Sequence, residues 1–380
     1  RKAADVSGEV NGVLFQILDA LPKIRVAGAE SRFFQYWSRR FAEQMESEYR
    51  SGNLSVAQSV FTAAFPVVST FLLFAYVGYA HEPMATGTLL AFLAAFGQCT
   101  AGIAGLSESV LEVSEALPQL ERTQPILAAI PEVDEEKLDP GVLHGNLDLS
   151  NVVFRYIQDQ PAVLNDVSLS VRPGEFVALV GGTGAGKSTV LNMLLGFDTP
   201  ESGAIFFDGK GLQTLDVQAV RQQLGVVLQN GRIVKDTVFR NLATGRPITR
   251  EQAWDALQMV GLQDDIEEMP GGLDTVISEK VFSGGQAQRL LIARAIVTRP
   301  RIIIFDEATS ALDNKTQAVV SRSLDELNAA RVVVAHRLST IRGADRIYVF
   351  DKGQVVQSGR VDELAEQEGL FKELIGRQQA

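Results

Sequence analysis

Charged and apolar positions are spread unevenly along the 380-residue chain, and this unevenness divides it before any motif is considered. Residues 53–80, NLSVAQSVFTAAFPVVSTFLLFAYVGYA, contain no charged side chain, and neither do residues 83–107, PMATGTLLAFLAAFGQCTAGIAGLS. A helix needs about 20 apolar residues to cross the hydrocarbon of a bilayer, and both runs are longer. Pro66 is compatible with a membrane helix, because neighbouring helices and local adjustments satisfy the carbonyl it frees. Only His81 and Glu82 separate the runs, so they predict a tight helical hairpin. Arg32, Arg39, Arg40 and Arg50 precede the first run, and the turn carries no Lys or Arg. The positive-inside bias then places residue 50 in the cytoplasm and His81 outside.

The flanks follow other patterns. Phe33, Phe34, Trp37 and Phe41 recur at helical spacing within the charged stretch GAESRFFQYWSRRFAEQMESEYR, residues 28–50. That is a one-sided apolar stripe, packed either on its own bundle or, as a cytoplasmic extension, on another domain. The first residues, RKAADVSGEVNGVLFQIL, read as the interior of a helix, so the chain is expected to begin inside a longer protein. Residues 118–145 hold Pro118, Pro125, Pro131 and Pro140 with the acidic cluster EVDEEKLDP, a linker composition.

From residue 146 onward short apolar runs alternate with helical stretches, which predicts α/β architecture. Four runs, FVALVG (176–181), GVVLQ (225–229), RIIIFDE (301–307) and VVVAH (332–336), are near-continuous in apolar residues, as strands buried on both faces must be. They end respectively in a glycine-rich loop, Gln229, the Asp306–Glu307 pair and His336. Ligands of open α/β sheets bind outside the carboxyl ends of the strands, so these four endings are expected to converge on one edge.

Composition narrows the possibilities. The net charge is −11 and no basic cluster stands out, which argues against a nucleic-acid partner. The one cysteine, Cys99, excludes a disulfide within the chain and any multi-cysteine metal site.

Gly181, Gly182, Thr183, Gly184, Ala185, Gly186, Lys187, Ser188 and Thr189 satisfy G-x-x-x-x-G-K-[ST] between a strand and a helix. Glycines let backbone N–H groups wrap phosphates, Lys187 brings a charge to the β/γ oxygens, and Ser188 reaches Mg²⁺. Asp306 is placed to hold Mg²⁺ through water, and Glu307 to polarise an attacking water as general base. His336 at a strand end suits a γ-phosphate contact. Gln229 reads either as part of this site or as a cap on the next turn. Tyr156 is either a platform for adenine or an ordinary strand tyrosine. Ser283, Gly284, Gly285 and Gln286 open the helical run QAQRLLIARAIV, and backbone N–H groups at such a start make a second anion site.

Together these residues resemble the ATP-binding cassette (ABC) family. Tyr156 is similar to its adenine-stacking loop, 181–189 to its Walker A loop, Gln229 to its Q-loop and SGGQ (283–286) to its signature. IIIFDE is similar to Walker B, SALD (310–313, with Asp313) to the D-loop, and His336 to the switch histidine. The resemblance covers residues 146–376 and implies bound ATP and Mg²⁺, with Ser188, Gln229 and Asp306 around the metal. It implies that the signature faces the partner's ATP, so that two head-to-tail chains, a homodimer or a paired half-transporter, enclose two nucleotides. The two apolar runs resemble the last two transmembrane helices of a type I exporter half. IRVAGAESRFF (24–34) stands where such exporters put a coupling helix, about residues 27–34.

The implied organisation is the end of a transmembrane domain over 1–117, a linker over 118–145 and a nucleotide-binding domain over 146–380. The fold class is thus an α-helical membrane segment followed by an α/β P-loop domain. IRVAGAESR, AFLAAFGQ, QNGR and QDDIEEMP are similar to exporters of leader-bearing bacteriocin peptides, the nitrile-hydratase-leader microcin type. That implies peptide export across a bacterial inner membrane, with the P-loop domain in the cytoplasm.

The chain departs from the family pattern in showing only two membrane helices and part of a third. ISEKVFSGGQ is a short approach to the signature, Phe282 stands for the usual Leu, and Ala287 for a basic residue. Two other readings share many of these motifs: an exporter of lipids or drug-like molecules, and a non-transport ABC ATPase.

Overall fold

The computed structural model describes residues 2–79, 85–129, 131–132, 137–229, 231–278, 282–309, 312–335 and 337–379. The chain divides into two units, Arg1–Ile130 and Pro131–Ala380.

The first unit is helical: α1 (Lys2–Asp19), α2 (Leu21–Val26), α3 (Glu30–Tyr79) and α4 (Thr86–Leu127). Helix α1 packs on α3. Val10 and Ile24 are buried, and an ion pair joins Arg40 of α3 to Glu9 of α1 at 3.1 Å. Trp37 stacks on Phe41 with ring centroids 4.9 Å apart. Helix α2 stops at a left-handed Gly28, where the Gly28 N–H donates to Arg25 O and the Ala29 N–H to Ile24 O. This doubly bonded ending is a Schellman motif. Residues 27–34, expected as one short coupling helix, therefore straddle that turn and the start of α3.

Windows at Val56–Tyr79 and Thr86–Ile103 are long and apolar enough to cross a membrane, and none of either is buried within the protein. A core helix of a soluble protein hides its apolar stripe, whereas Phe61, Phe71, Leu72 and Tyr76 stand exposed. The tight turn expected at 81–82 lies outside the described residues. Helix α4 runs through Pro118 and Pro125 to Leu127, so the non-helical connection begins later than its proline content suggests. A proline costs a helix its own N–H and crowds the carbonyl four residues back. A 42-residue helix keeps the rest of its ladder.

The strands of the second unit are, in chain order, β1 (Leu147–Phe154), β2 (Leu164–Val171), β3 (Phe176–Gly181), β4 (Ser202–Phe207), β5 (Lys210–Gly211), β6 (Leu224–Val227), β7 (Asp236–Thr237), β8 (Val276–Ile277), β9 (Ile302–Asp306), β10 (Ala330–Val334), β11 (Arg346–Asp351) and β12 (Gln354–Gly359). An antiparallel sheet has the order β2-β1-β4-β5, and a larger one the order β12-β11-β3-β10-β9-β6. In the larger sheet β6, β9, β10, β3 and β11 are mutually parallel, and β12 closes the edge antiparallel.

Side chains of its central strands alternate between two cores, as the period of two requires. Phe176, Ala178, Val180, Ile303 and Phe305 enter one core with the helix Gly284–Ile296 and the helix Arg250–Met259. Val177, Leu179, Ile302 and Ile304 enter the other with the antiparallel sheet and helix α5 (Lys187–Leu194). Burial on both faces explains why these strands read as unbroken apolar runs.

Candidate functional site

Parallel pairing puts the carboxyl ends of four strands side by side. Val334 of β10 lies opposite both Leu179 of β3 and Asp306 of β9, and Val227 of β6 lies opposite Phe305 of β9. The glycine-rich loop, Gln229 and the Asp306–Glu307 pair, which follow three of these strands, therefore share one edge. There, residues 183–189, Gln229 and Glu307 line a cleft of about 470 Å³ together with Val163.

The glycine-rich loop leaves the buried end of β3 and turns into α5 at Gly186, whose φ is 101°. Its back is tightly seated: a Cβ on Gly181 would lie 2.3 Å from Phe350 O, and one on Gly186 would lie 2.9 Å from Leu164 Cδ2. At Gly182 and Gly184 a Cβ would meet nothing within 4 Å, so these residues face open space. This one-sided cradle suits an anion approached by backbone N–H groups. Lys187 is buried, and its Nζ donates to Gly181 O at 2.9 Å and to Gly182 O at 2.8 Å. Burial lowers its pKa below the usual lysine value, while the carboxylates of Glu307 and Asp306 pull it back up. The ammonium is thus anchored in the loop beside the two acidic residues.

Asp306, the last residue of β9, is buried, and Glu307 follows it with φ 53°. The left-handed region is costly for a glutamate, and such residues persist where their surroundings over-determine them. The Glu307 N–H donates to Val334 O at 3.2 Å, and Glu307 O accepts from Gln288 Nε2 at 3.3 Å. Gln229 is exposed just past β6. Ser188 and Gln229 line the cleft, Asp306 ends β9 at the same edge, and all three offer oxygen donors, the hard chemistry Mg²⁺ prefers.

Tyr156 follows β1, packs edge-on to Phe154 with ring centroids 4.8 Å apart, and shares a hydrogen bond with Thr189 Oγ1 at 3.3 Å. Tyr156 is more than half exposed, at 56 %. An exposed side chain tied to the phosphate loop leaves room for a ring to stack on it.

Ser283–Gln286 are not part of the cleft lining. Ser283 N-caps the helix Gly284–Ile296 in a capping box: its Oγ accepts from Gln286 N, and its own N–H donates to Gln286 Oε1. Phe282 is buried in the same core that Ala287 packs against. These are the N′ and N4 positions, where a hydrophobic staple forms, and they are the two places where the chain departs from the family pattern. Asp313 caps the helix Asn314–Glu326 by accepting from Thr316, and those hydrogen bonds lower its pKa. His336, the approach through Glu279, Lys280 and Val281, and the first half of SALD lie outside the described residues.

Sequence reasoning missed the support beneath the loop. The Gly353 N–H, in the turn between β11 and β12, donates to Ala185 O at 3.1 Å, and Asn165 N donates to Gly353 O at 2.8 Å. A Cβ at Gly353 would stand 2.3 Å from Val163 O, at a φ of +78°. The sequence DKGQ signals a hairpin turn and carries no hint of a phosphate loop. Gly353→Ala is expected to lower stability by about 2–3 kcal/mol through backbone strain and displacement, read as a fall in urea midpoint. A midpoint unchanged within error would contradict this packing.

The ABC transporter family model matches residues 164–310. The exotoxin translocation ATP-binding protein PaxB of Pasteurella aerogenes is 33 % identical over 94 % of this chain and 52 % of its own length. The leukotoxin translocation ATP-binding protein LktB of Mannheimia haemolytica is 31 % identical over 97 % of this chain and 53 % of its own length. The chain thus spans about half the length of the curated relatives it matches. Among solved structures, a bacterial Atm1-family ABC exporter with ATP bound superimposes with a TM-score of 0.86 at 29 % identity, covering all of this chain and 68 % of that one.

Proposed function

We propose that the chain, an apolar helical region followed by an α/β P-loop ATPase domain and similar to toxin-translocation ATP-binding proteins, belongs to an ABC exporter ATPase/permease half that hydrolyses ATP to move a peptide-like substrate across the bacterial inner membrane. The observation that carries this reading is the shared edge where the loop 181–189, Gln229 and Glu307 meet, in a chain whose helices Val56–Tyr79 and Thr86–Ile103 are membrane-length and unburied.

In this mechanism the loop N–H groups and Lys187 hold the β- and γ-phosphates, and Tyr156 stacks on the adenine. Ser188, Gln229 and Asp306 would hold Mg²⁺, which would supply positive charge against the phosphate oxygens. Glu307 orients and deprotonates the attacking water, and His336 contacts the γ-phosphate. The helix start formed by Ser283, Gly284, Gly285 and Gln286, outside the cleft of its own chain, faces the nucleotide of a second copy, and Asp313 lies at that interface. Two copies then enclose two nucleotides, with the P-loop domains in the cytoplasm.

The relatives' names concern toxin translocation, which supports a polypeptide cargo. The narrower proposal, a bacteriocin-like leader peptide, rests on the short sequence similarities alone. In lipid nanodiscs, a leader-bearing peptide is expected to raise ATP turnover severalfold where lipids and drug-like molecules do not. Stimulation by lipid alone would favour a lipid exporter, and recovery of the protein in the soluble fraction would favour a non-transport ATPase.

A further inference from the structure

The helix start at Ser283 is fixed by a residue remote in sequence. Asp265, in the short helix Gln263–Glu267, uses both carboxylate oxygens on the helix Gly284–Ile296. Oδ1 accepts from Gln286 Nε2 at 2.6 Å, and Oδ2 pairs with Arg289 Nη2 at 3.1 Å. Gln286 and Arg289 are three apart and so lie on one face of the helix. Arg289 Nη1 also donates to Gly261 O.

The chemistry leaves one arrangement for the Gln286 amide. A carboxylate only accepts, so the NH₂ group must face Asp265. That turns Oε1 toward the Ser283 N–H, the bond observed at 3.0 Å. With Ser283 N and Gln286 N both engaged in the capping box, the donors at the tip of the helix are the N–H groups of Gly284 and Gly285. Gln286 is therefore committed to its own chain at both ends of its amide and does not reach outward.

We infer that Asp265 is a positioning residue for the signature, acting through Gln286 so that Gly284 and Gly285 present their N–H groups to a phosphate. This rests on the reading of residues 283–286 as the surface that meets a second nucleotide. Gln286 then belongs to the support of that surface and not to its phosphate contacts.

The test uses the full chain in nanodiscs, measuring ATP turnover alongside binding of a fluorescent ATP analogue. Asp265→Ala is expected to lower kcat about tenfold with analogue affinity within about twofold, because the loop 181–189 is untouched. Asp265→Asn, which keeps an acceptor for one partner only, is expected to fall between the two. Gln286→Ala should reproduce the loss, and Asp265→Ala in the Gln286→Ala background should remove less than about twofold more, since two residues acting through one contact are not additive. A loss below twofold for Asp265→Ala, losses that multiply in the double variant, or weakened analogue binding would each overturn the role. A parent chain without ATP turnover overturns the ATPase reading and the positioning role together. A parent that turns over normally beside an unimpaired Asp265→Ala overturns the positioning role alone.

Discussion

Glu307→Gln is expected to reduce steady ATP hydrolysis by about 10²- to 10⁴-fold, the usual contribution of a positioned general base, while ATP still binds. The substitution keeps the shape of the side chain and its ability to touch water, and replaces a basic carboxylate by an amide too weakly basic to take a proton. The backbone supports the same outcome. Residue 307 is held at φ 53° by its N–H bond to Val334 O, the Gln288 bond to its carbonyl, and its position directly after buried β9. None of these depends on the side-chain charge, so the glutamine should occupy the same place. Trapped ATP in a variant that no longer releases phosphate is the expected signature. Phosphate release within tenfold of the parent would remove Glu307 from the role of base.

Lys187→Ala is expected to weaken ATP binding by about 30-fold to more than 1000-fold, the range for deleting one partner of a desolvated charge pair. The lysine is buried, anchored to two loop carbonyls and held beside Glu307 and Asp306. Removing it leaves those acidic groups without their neighbouring cation at the place where phosphates must come. Two negative groups facing a polyanion oppose binding, so the effect should exceed that of deleting a single neutral hydrogen bond. Titration with a fluorescent ATP analogue checks it, with circular dichroism reporting that the fold persists. Unchanged affinity would show that the loop backbone alone carries the phosphates.

The two predictions rest on features that differ in how far the sequence revealed them. The loop at 181–189 and the pair Asp306–Glu307 were legible because each follows a strand buried on both faces, which leaves an apolar run with an abrupt polar end. Their convergence was legible too, since parallel strands bring their carboxyl ends to one edge. The backbone strain at Glu307 was not legible, because a left-handed glutamate leaves no trace in residue type. The support from Gly353, in a hairpin far along the chain, and the grip of Asp265 on Gln286 were equally hidden. Both depend on which segments the fold brings into contact, which neither local sequence signals. Proline content misplaced the start of the connection after α4, since Pro118 and Pro125 sit inside a continuing helix. The aromatic stripe at Phe33, Phe34, Trp37 and Phe41 was legible from its period, whereas the break at Gly28 that ends α2 before it was not.

Helix α3 carries one more consequence. It runs from Glu30 to Tyr79 as a single element, roughly 75 Å at 1.5 Å per residue. Its first part is charged and its last part apolar, yet the same hydrogen-bond ladder continues through both. Such a rod works as a lever. A tilt of about 5° at one end displaces the other by roughly 6 Å at that length, more than the width of one strand-to-strand spacing. A small rocking of the polar end would thereby become a larger displacement at the apolar end. Pro66, the proline inside the helix, is the place where the rod can bend, and it sits beyond the charged part, so the stroke reaches the apolar region before it can be lost.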